Sequence, residues 1–180
     1  NPTGTTYSKN DLIKLVENFK DVLFLIDEAY FEFNGITISD NIKKRDNIII
    51  TRTFSKAFGL ASFRIGYVIS NKKNIDTLNL IRNPKNVSLL AQVAAISVLE
   101  DINYIKEYVN EVLEVKDHFV KQINSNDNFS EIEIFEGGGN FIFLRFKTKK
   151  LLKKIIKKLE DDMIFIRDYG HIEKTINCIR

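Results

Sequence analysis

The chain has 180 residues, of which 44% are hydrophobic and 28% are charged, so its composition excludes a disordered protein and suits one sizeable core or two small ones. The net charge of +3 is too small to indicate a nucleic-acid or membrane partner by itself. A single cysteine, Cys178, excludes an internal disulfide framework, so we expect a cytoplasmic setting and a buried thiol.

The first part of the chain alternates turns, helices and short apolar runs. Residues 1–4 (NPTG) have the composition of a turn, and Ser8 is placed to cap a helix whose apolar residues follow at helical spacing. The apolar runs at 22–26 and 47–52 are typical of strands buried on both faces of a parallel sheet. Residues 65–70 predict a third, weaker strand.

Helices dominate the middle of the chain. Residues 72–82 have a helical pattern, and Pro84 then interrupts it. Residues 88–99 predict an apolar helix, and 102–124 a longer amphipathic one. We expect one stripe of the longer helix to be buried: Ile105, Val109, Val112 and Phe119.

The pattern changes again after the polar run NSNDN. Three glycines at 137–139 join two predicted strands, IEIF and NFIFLRF. A helix over 148–160, a strand over 163–167 and a last strand that approaches Arg180 complete the chain. The lysines of this region lie opposite the apolar stripe of the helix, so we interpret them as a solvated face rather than a nucleic-acid site.

This order of elements predicts an α/β fold in two domains. Residues 1–115 would form the C-terminal part of a large domain, a mostly parallel sheet with helices on both faces. Residues 116–180 would form a small α+β domain that is incomplete at its end. Because the chain starts inside a turn and ends directly after an apolar run, we expect it to be part of a longer chain.

Charged and hydroxyl side chains follow the predicted strands at their carboxyl ends, where open parallel sheets bind ligands. Asp27 ends the first strand and could pair with a protonated ring nitrogen, and the hydroxyl of Tyr30 could reach the same ligand. After the second strand, in TRTFSKAFGLASFRIGY, the amine of Lys56 could form a Schiff base with an aldehyde.

The same stretch also carries phosphate donors. Thr53 and Ser55 offer hydroxyl groups, and Arg64 offers a bidentate guanidinium. A carboxylate for a pyridinium, hydroxyls and arginine for a phosphate and a lysine for an aldehyde together describe pyridoxal phosphate (PLP).

Four segments, in order, resemble fold-type I aminotransferases of the class I/II group: NPTG, LIDEAYFEF, TFSKAFGLASFRIGY and the terminal CIR. The resemblance covers essentially the whole chain and is greatest to the histidinol-phosphate aminotransferases. It implies that Lys56 is the Schiff-base lysine and proton carrier, and that Asp27 keeps the ring nitrogen protonated. It also implies that Asn1 and Tyr30 bond the phenolic oxygen of the cofactor.

For the anions, the resemblance implies that Thr53, Ser55 and Arg64 bind the cofactor phosphate. Arg180 would grip the anionic group of the substrate, and Arg167 would lie near the same site. The implied reaction moves an amino group from a donor such as L-histidinol phosphate to a 2-oxo acid such as 2-oxoglutarate, in histidine biosynthesis. The relatives are homodimers, so we expect a homodimer, with no metal, nucleic acid or membrane partner.

The resemblance also implies that the N-terminal half of such enzymes is absent from this chain, so we expect the isolated piece to be inactive. Lys85 stands where these enzymes often carry an aromatic residue. An aromatic or other amino-acid aminotransferase of the same family is an alternative.

Two alternatives from other classes depend on the same residues. A nucleotide hydrolase would use Asp27 for magnesium and Glu28 as a base, but its GxxxxGK[ST] loop is not in this sequence. Otherwise Glu28 and Glu32 are interpreted as polar loop positions. A non-catalytic interaction domain on the same scaffold predicts the loss of Lys56 or Asp27, and both are present.

Overall fold

The computed structural model describes residues 3–180, and these divide into two units. One unit contains residues 7–111, and the other contains residues 112–180 together with the N-terminal segment. Asn1, one of the predicted cofactor ligands, lies outside the described residues. Each unit is described below by itself.

The sheet of the 7–111 unit has three strands, β1 (Phe24–Asp27), β2 (Ile48–Thr53) and β3 (Gly66–Ser70), in that spatial order. β1 and β2 are parallel, as predicted. β3 is antiparallel to β2, so the prediction of a third parallel strand is wrong. The reason is the connection at 54–65, which contains a 3₁₀ turn but not the crossover helix that a parallel return usually needs.

One face of this sheet is buried in an aliphatic core, because Val16, Ile38, Ile48 and Ile50 are each at most 2% exposed. The other face is only partly covered: Ile49 of β2 is 9% exposed, but β1 leaves residues open on that face. Leu25 of β1 is 67% exposed, so the prediction that this strand is buried on both faces is wrong for the described residues. Among residues 3–180, β1 has β2 as its only neighbouring strand, and its burial alternates because successive side chains point to opposite faces of the sheet.

The predicted helices are confirmed with small changes at their ends. Ser8 caps the first helix as predicted, since its hydroxyl accepts the Asp11 N–H at 3.1 Å. No helix within residues 3–180 is long and apolar enough to cross a membrane. The helices are α1 (Lys9–Asn18), α2 (Phe31–Asn34), α3 (Lys72–Ile81), α4 (Leu89–Glu100), α5 (Ile102–Asn124) and α6 (Lys149–Asp161).

The buried stripe of α5 is predicted only in part. Ile105 and Val109 are buried, but Phe119 is 42% exposed and Val120 and Ile123 are buried in its place. The two halves of α5 belong to different units, so each half buries its own set of side chains.

The second unit contains an antiparallel sheet in the order β4 (Ile132–Phe135), β5 (Phe143–Phe146) and β6 (Cys178–Ile179). α6 packs on one face of it, and its lysines are exposed, as predicted. Cys178 is free and fully buried, also as predicted.

The predicted strand at 163–167 is wrong. Met163 has a φ of 60°, and Phe165 is 76% exposed, so this segment leaves α6 without joining the sheet. The chain pairs with β6 only from the end of this segment onward, through an isolated bridge between Asp168 and Ile179 and the main-chain hydrogen bonds on either side of it.

Candidate active site

Asp27 stands at the carboxyl end of β1, opposite Thr51 of β2. Its Oδ1 accepts the N–H of Ala29 at 3.0 Å and the hydroxyl of Thr51 at 3.4 Å. The first bond forms an Asx turn, in which the loop after the strand orients the carboxylate. The side chain is nevertheless exposed, so the carboxylate is both fixed and accessible to a ligand.

Lys56 lies in a tight turn that follows β2. The Lys56 carbonyl accepts the N–H of Gly59 at 3.1 Å, and Gly59 has a φ of 70°, which glycine adopts without strain. Nζ of Lys56 lies 5.3 Å from the centroid of the Tyr30 ring. The structure thus brings these two predicted residues together, at a distance typical of cation–π contacts.

Burial of the apolar residues on either side of Ser55 and Lys56 explains why this turn presents Lys56. Phe54, Ala57 and Phe58 are buried, and the Phe54 and Phe58 rings are 4.8 Å apart. Ser55 and Lys56, between them, are only partly buried. Burial of the three apolar residues therefore leaves both polar side chains toward solvent.

The predicted phosphate donors shape the same turn. Oγ1 of Thr53 accepts the N–H of Ser55 at 3.0 Å and lies 3.5 Å from the Ile65 carbonyl oxygen. Arg64 has a φ of 52°, an uncommon value for a residue with a side chain, and its guanidinium donates to the Ala61 carbonyl at 3.1 Å. Arg64 is exposed at the residue where the chain turns toward β3.

Gly66 permits the close approach of β3 to the end of β2. It is paired with Thr53, and a Cβ added to it would lie 2.7 Å from the carbonyl oxygen of Arg52. A larger residue would therefore move one of the two strands. The sequence interpretation did not identify this role, although Gly66 is part of the FRIGY motif.

Glu28 is not the polar loop residue that the sequence indicated. Its side chain is 4% exposed and is paired with Arg52, whose side chain is 12% exposed. Nε and Nη2 of Arg52 donate to the same carboxylate oxygen at 2.9 and 2.8 Å. The nucleotide-hydrolase alternative needs Glu28 as a free base, and this ion pair removes it.

The surroundings of this pair affect the ionisation of two groups. Burial opposes the charge of Arg52, but hydrogen bonds to Glu28 and Tyr67 outweigh that effect and raise the pKa of the guanidinium. Burial also raises the pKa of Glu32 above its ordinary value. The sequence analysis missed this pair because it depends on the register: Asp27 is paired with Thr51, so the residues that follow each of them are neighbours.

In the other unit, Arg167 and Arg180 are opposite each other. Each donates its N–H to the carbonyl of the other, at 3.0 and 2.9 Å, so both side chains leave the same face of the pairing. The Arg180 guanidinium carbon lies 4.7 Å from the Phe141 ring centroid and 5.7 Å from that of Tyr169. Two like charges at opposed positions are unfavourable unless they share an anion, which suits the predicted role.

The glycines at 137–139 hold the segment that follows Asn1. The N–H of Gly138 donates to the Gly4 carbonyl at 2.9 Å, and a Cβ on Gly137 would lie 2.6 Å from that oxygen. Nζ of Lys116 donates to the carbonyls of Gly137 and Gly139, and burial lowers the pKa of this amine. Within residues 3–180 the structure shows no cluster of ligands for a metal.

Comparison with known proteins adds independent information. The profile of the family "Aminotransferase class I and II" matches residues 1–180. The chain is 42% identical over 178 residues to a dihydroxyacetone phosphate transaminase of Campylobacter jejuni, which is 99% of this chain and 47% of that protein. It is 34% identical over 180 residues to a histidinol-phosphate aminotransferase of a Thermoanaerobacter species, which is 100% of this chain and 49% of that protein.

A solved structure is similar over the whole chain. It is histidinol-phosphate aminotransferase from Sinorhizobium meliloti in complex with pyridoxal-5'-phosphate, with a TM-score of 0.85 and 27% identity over 100% of this chain and 49% of that one. The chain spans about half the length of the curated relatives that it matches. The match of the family profile to all 180 residues shows that the chain belongs to the class I and II aminotransferases.

Proposed function

We propose that the protein containing this chain is a PLP-dependent aminotransferase and that Lys56 is the residue that bonds the cofactor aldehyde. The observation that carries the proposal is the position of Lys56, in a hydrogen-bonded turn after β2 with its Nζ 5.3 Å from the Tyr30 ring. Asp27 ends the neighbouring parallel strand. The S. meliloti relative, similar over this whole chain, holds the same cofactor.

The donor set of the structure fits this cofactor. Asp27 offers an exposed, oriented carboxylate for the ring nitrogen, and Tyr30 offers a hydroxyl for the phenolic oxygen. The hydroxyl groups of Thr53 and Ser55, with the exposed guanidinium of Arg64, suit a phosphate dianion.

When bound, PLP supplies an electron sink for the charge that develops at the α-carbon of the substrate. The residues of this chain then have separate tasks. Asp27 holds a proton on the ring nitrogen, which maintains that sink. Lys56 would move a proton at the α-carbon, because an amine released from the aldehyde can act as a general base. Tyr30 orients the ring through its hydroxyl.

We propose that the substrate carries a phosphate monoester. The two relatives described above are named for histidinol phosphate and for dihydroxyacetone phosphate, and both compounds contain this group. The paired Arg167 and Arg180 are suited to bind such a dianion. L-histidinol phosphate, with 2-oxoglutarate as acceptor, is the first candidate and would place the enzyme in histidine biosynthesis.

Transamination of dihydroxyacetone phosphate is the second candidate, because the relative with that name is the more similar of the two. We also propose, from the resemblance of the family motifs, that the complete protein is a cytoplasmic homodimer. Sedimentation of the purified complete protein tests the dimer, and a mass equal to one subunit contradicts it.

Reductive trapping tests the central proposal. The complete gene product is incubated with PLP, reduced with borohydride, digested and analysed by mass spectrometry. We expect the pyridoxyl mass on Lys56, and its loss together with the loss of turnover in Lys56→Ala. Lys72→Ala, which removes an exposed lysine of the same unit, is the matched control.

Two results would contradict the proposal: a folded protein without label on Lys56, or a Lys56→Ala enzyme that turns over at the parent rate. Substrate choice is tested separately. Histidinol phosphate with 2-oxoglutarate and dihydroxyacetone phosphate with an amino donor are compared by kcat/KM, and the larger value identifies the preferred reaction.

A further inference from the structure

The Glu28–Arg52 ion pair is next in sequence to the predicted cofactor ligands on both strands. Glu28 directly follows Asp27, and Arg52 directly precedes Thr53. The N–H of Glu28 also donates to the Thr51 carbonyl at 2.9 Å. Side-chain and main-chain bonds therefore join the ends of β1 and β2 at the same level of the sheet.

The carboxylate of Glu28 is held from two directions. One oxygen accepts both bonds from Arg52, and the other lies 3.4 Å from the N–H of Ile38, which is fully buried. Glu28 thus fixes the strand end and the loop that returns to the core near Ile38.

The guanidinium of Arg52 is also held from several sides. Its Nη2 donates to the hydroxyl of Thr37 at 3.1 Å, and its central carbon lies 3.6 Å from the centroid of the Phe31 ring. Arg52 is also the register partner of Tyr67 in β3. Arg52 therefore contacts residues from the loop after β1 and from both neighbouring strands.

Stability alone is a weak explanation for such a pair. Two buried charges lose their hydration, and apolar residues of similar volume often give an equally stable or more stable protein. The bonds do have directional geometry, because the planar guanidinium and the carboxylate fix both strand ends. We propose that Glu28 and Arg52 are positioning residues, which hold Asp27 in place relative to the Thr53–Lys56 turn.

This proposal rests on the proposed function, and it predicts how loss of the pair affects catalysis. Glu28→Gln keeps the shape of the side chain but leaves the Arg52 charge without its partner. A displacement of about 1 Å at a catalytic group costs roughly 100-fold in rate, so we expect kcat to fall roughly 10- to 100-fold. The KM for the substrate anion should change little, because the predicted anion ligands Arg167 and Arg180 belong to the other unit.

The matched control is Glu17→Gln, which removes the carboxylate of an exposed ion pair with Arg45 in the same unit. Exposed pairs contribute little, so we expect its kcat to stay within about twofold of the parent. A second test variant, Thr37→Val, keeps both charges and removes one hydrogen bond of the guanidinium. It should fold when Glu28→Gln does not, and should lower kcat in the same direction by a smaller factor.

The visible absorbance of the cofactor bound to the complete enzyme supplies a readout that a purely structural role would not move. Asp27 would keep the ring nitrogen of the cofactor charged. A charged ring withdraws electrons from the nitrogen by which Lys56 is bonded to the cofactor. The visible absorbance changes with pH, and its midpoint is the pH at which half of that change is complete. If loss of the pair displaces Asp27, this midpoint should rise in Glu28→Gln and Thr37→Val. It should stay at the parent value in Glu17→Gln.

The outcomes separate this proposal from the proposed function. A parent enzyme that carries no borohydride label on Lys56 overturns both. A labelled parent whose Thr37→Val and folded Glu28→Gln variants keep the kcat and the absorbance midpoint of Glu17→Gln overturns the positioning role alone. A lower kcat with an unchanged KM and a raised midpoint supports it.

Discussion

Replacement of Gly66 by alanine tests whether the close approach of β3 to β2 shapes the turn that carries Lys56. A Cβ at this position lies 2.7 Å from the Arg52 carbonyl oxygen and 3.6 Å from the Thr53 Cα. Gly66 is not among the glycines with positive φ, so alanine meets no left-handed strain there. The effect of the substitution is therefore steric.

The size of the displacement follows from the contact distance. Ordinary contacts of a Cβ begin near 3.4 Å, so one strand must move by about 0.7 Å from the present 2.7 Å. The neighbouring bond from the Phe54 N–H to the Ile65 carbonyl, now 3.1 Å, would then exceed 3.5 Å and break. We expect the displaced turn to lose one of its hydrogen bonds to the bound phosphate, and loss of a bond to a charged group costs about 1.5–3 kcal/mol, which is roughly a 10- to 100-fold weaker Kd.

The assay is titration of the complete apoprotein with PLP, followed by visible absorbance. Gly35→Ala is the matched control, because Gly35 has a φ of 66° and no atom within 4 Å of an added Cβ. Alanine there costs about 1–2 kcal/mol of stability through backbone strain, but it leaves the turn of Lys56 intact. We expect the Kd of Gly35→Ala to stay within about twofold of the parent.

A folded Gly66→Ala protein that binds PLP with the parent Kd would refute this reasoning. It would mean that the strands absorb the added methyl group without moving the turn. A weaker Kd in both variants would instead indicate that general loss of stability explains the effect.

Three further substitutions test other parts of the structure. Asp27→Asn keeps the shape of the side chain but removes its charge, and we expect kcat of the complete enzyme to fall roughly 100-fold or more; an unchanged kcat contradicts its role. Glu32→Gln tests how the ionisation of Glu32 affects stability. Because burial raises the pKa of Glu32 above 4.5, the folded parent should lose stability as the pH rises from 4.5 through the raised pKa. The variant, which cannot ionise there, should not show this loss. Denaturant unfolding of both proteins at pH 4 and pH 8 measures this difference. Gly137→Ala places a Cβ 2.6 Å from the Gly4 carbonyl oxygen, so amide exchange at Gly138 should become faster than in the parent.

Local patterns predicted the elements that depend on local interactions. The longer helices have 3.6-residue periods and appear close to their predicted ranges, whereas the four-residue α2 (Phe31–Asn34) was not predicted. β1 and β2 were found from their apolar runs, and their parallel pairing places Asp27 and the turn of Lys56 at the same edge of the sheet. This topological rule brought together candidate residues that are 29 positions apart in sequence.

The errors concern features that a local pattern does not determine. The direction of β3 depends on the path of residues 54–65, and an apolar run has the same appearance in either direction. The run at 163–167 is apolar enough for a strand, but Met163 takes a left-handed conformation and the segment stays exposed. Burial of β1 depends on what packs against its second face, and the composition of the strand does not show what packs there.

The Glu28–Arg52 pair shows why part of a site escapes pattern reading. Alone, a glutamate after a strand and an arginine near the end of another are each typical of exposed positions. They can be identified as a buried ion pair only when the register places them side by side, because each charge then compensates the desolvation of the other. Parallel pairing alone does not fix this register, but it does limit which residues at the strand ends can become neighbours. Charged residues that directly adjoin candidate ligands on neighbouring parallel strands should be tested as pairs before they are assigned to the surface.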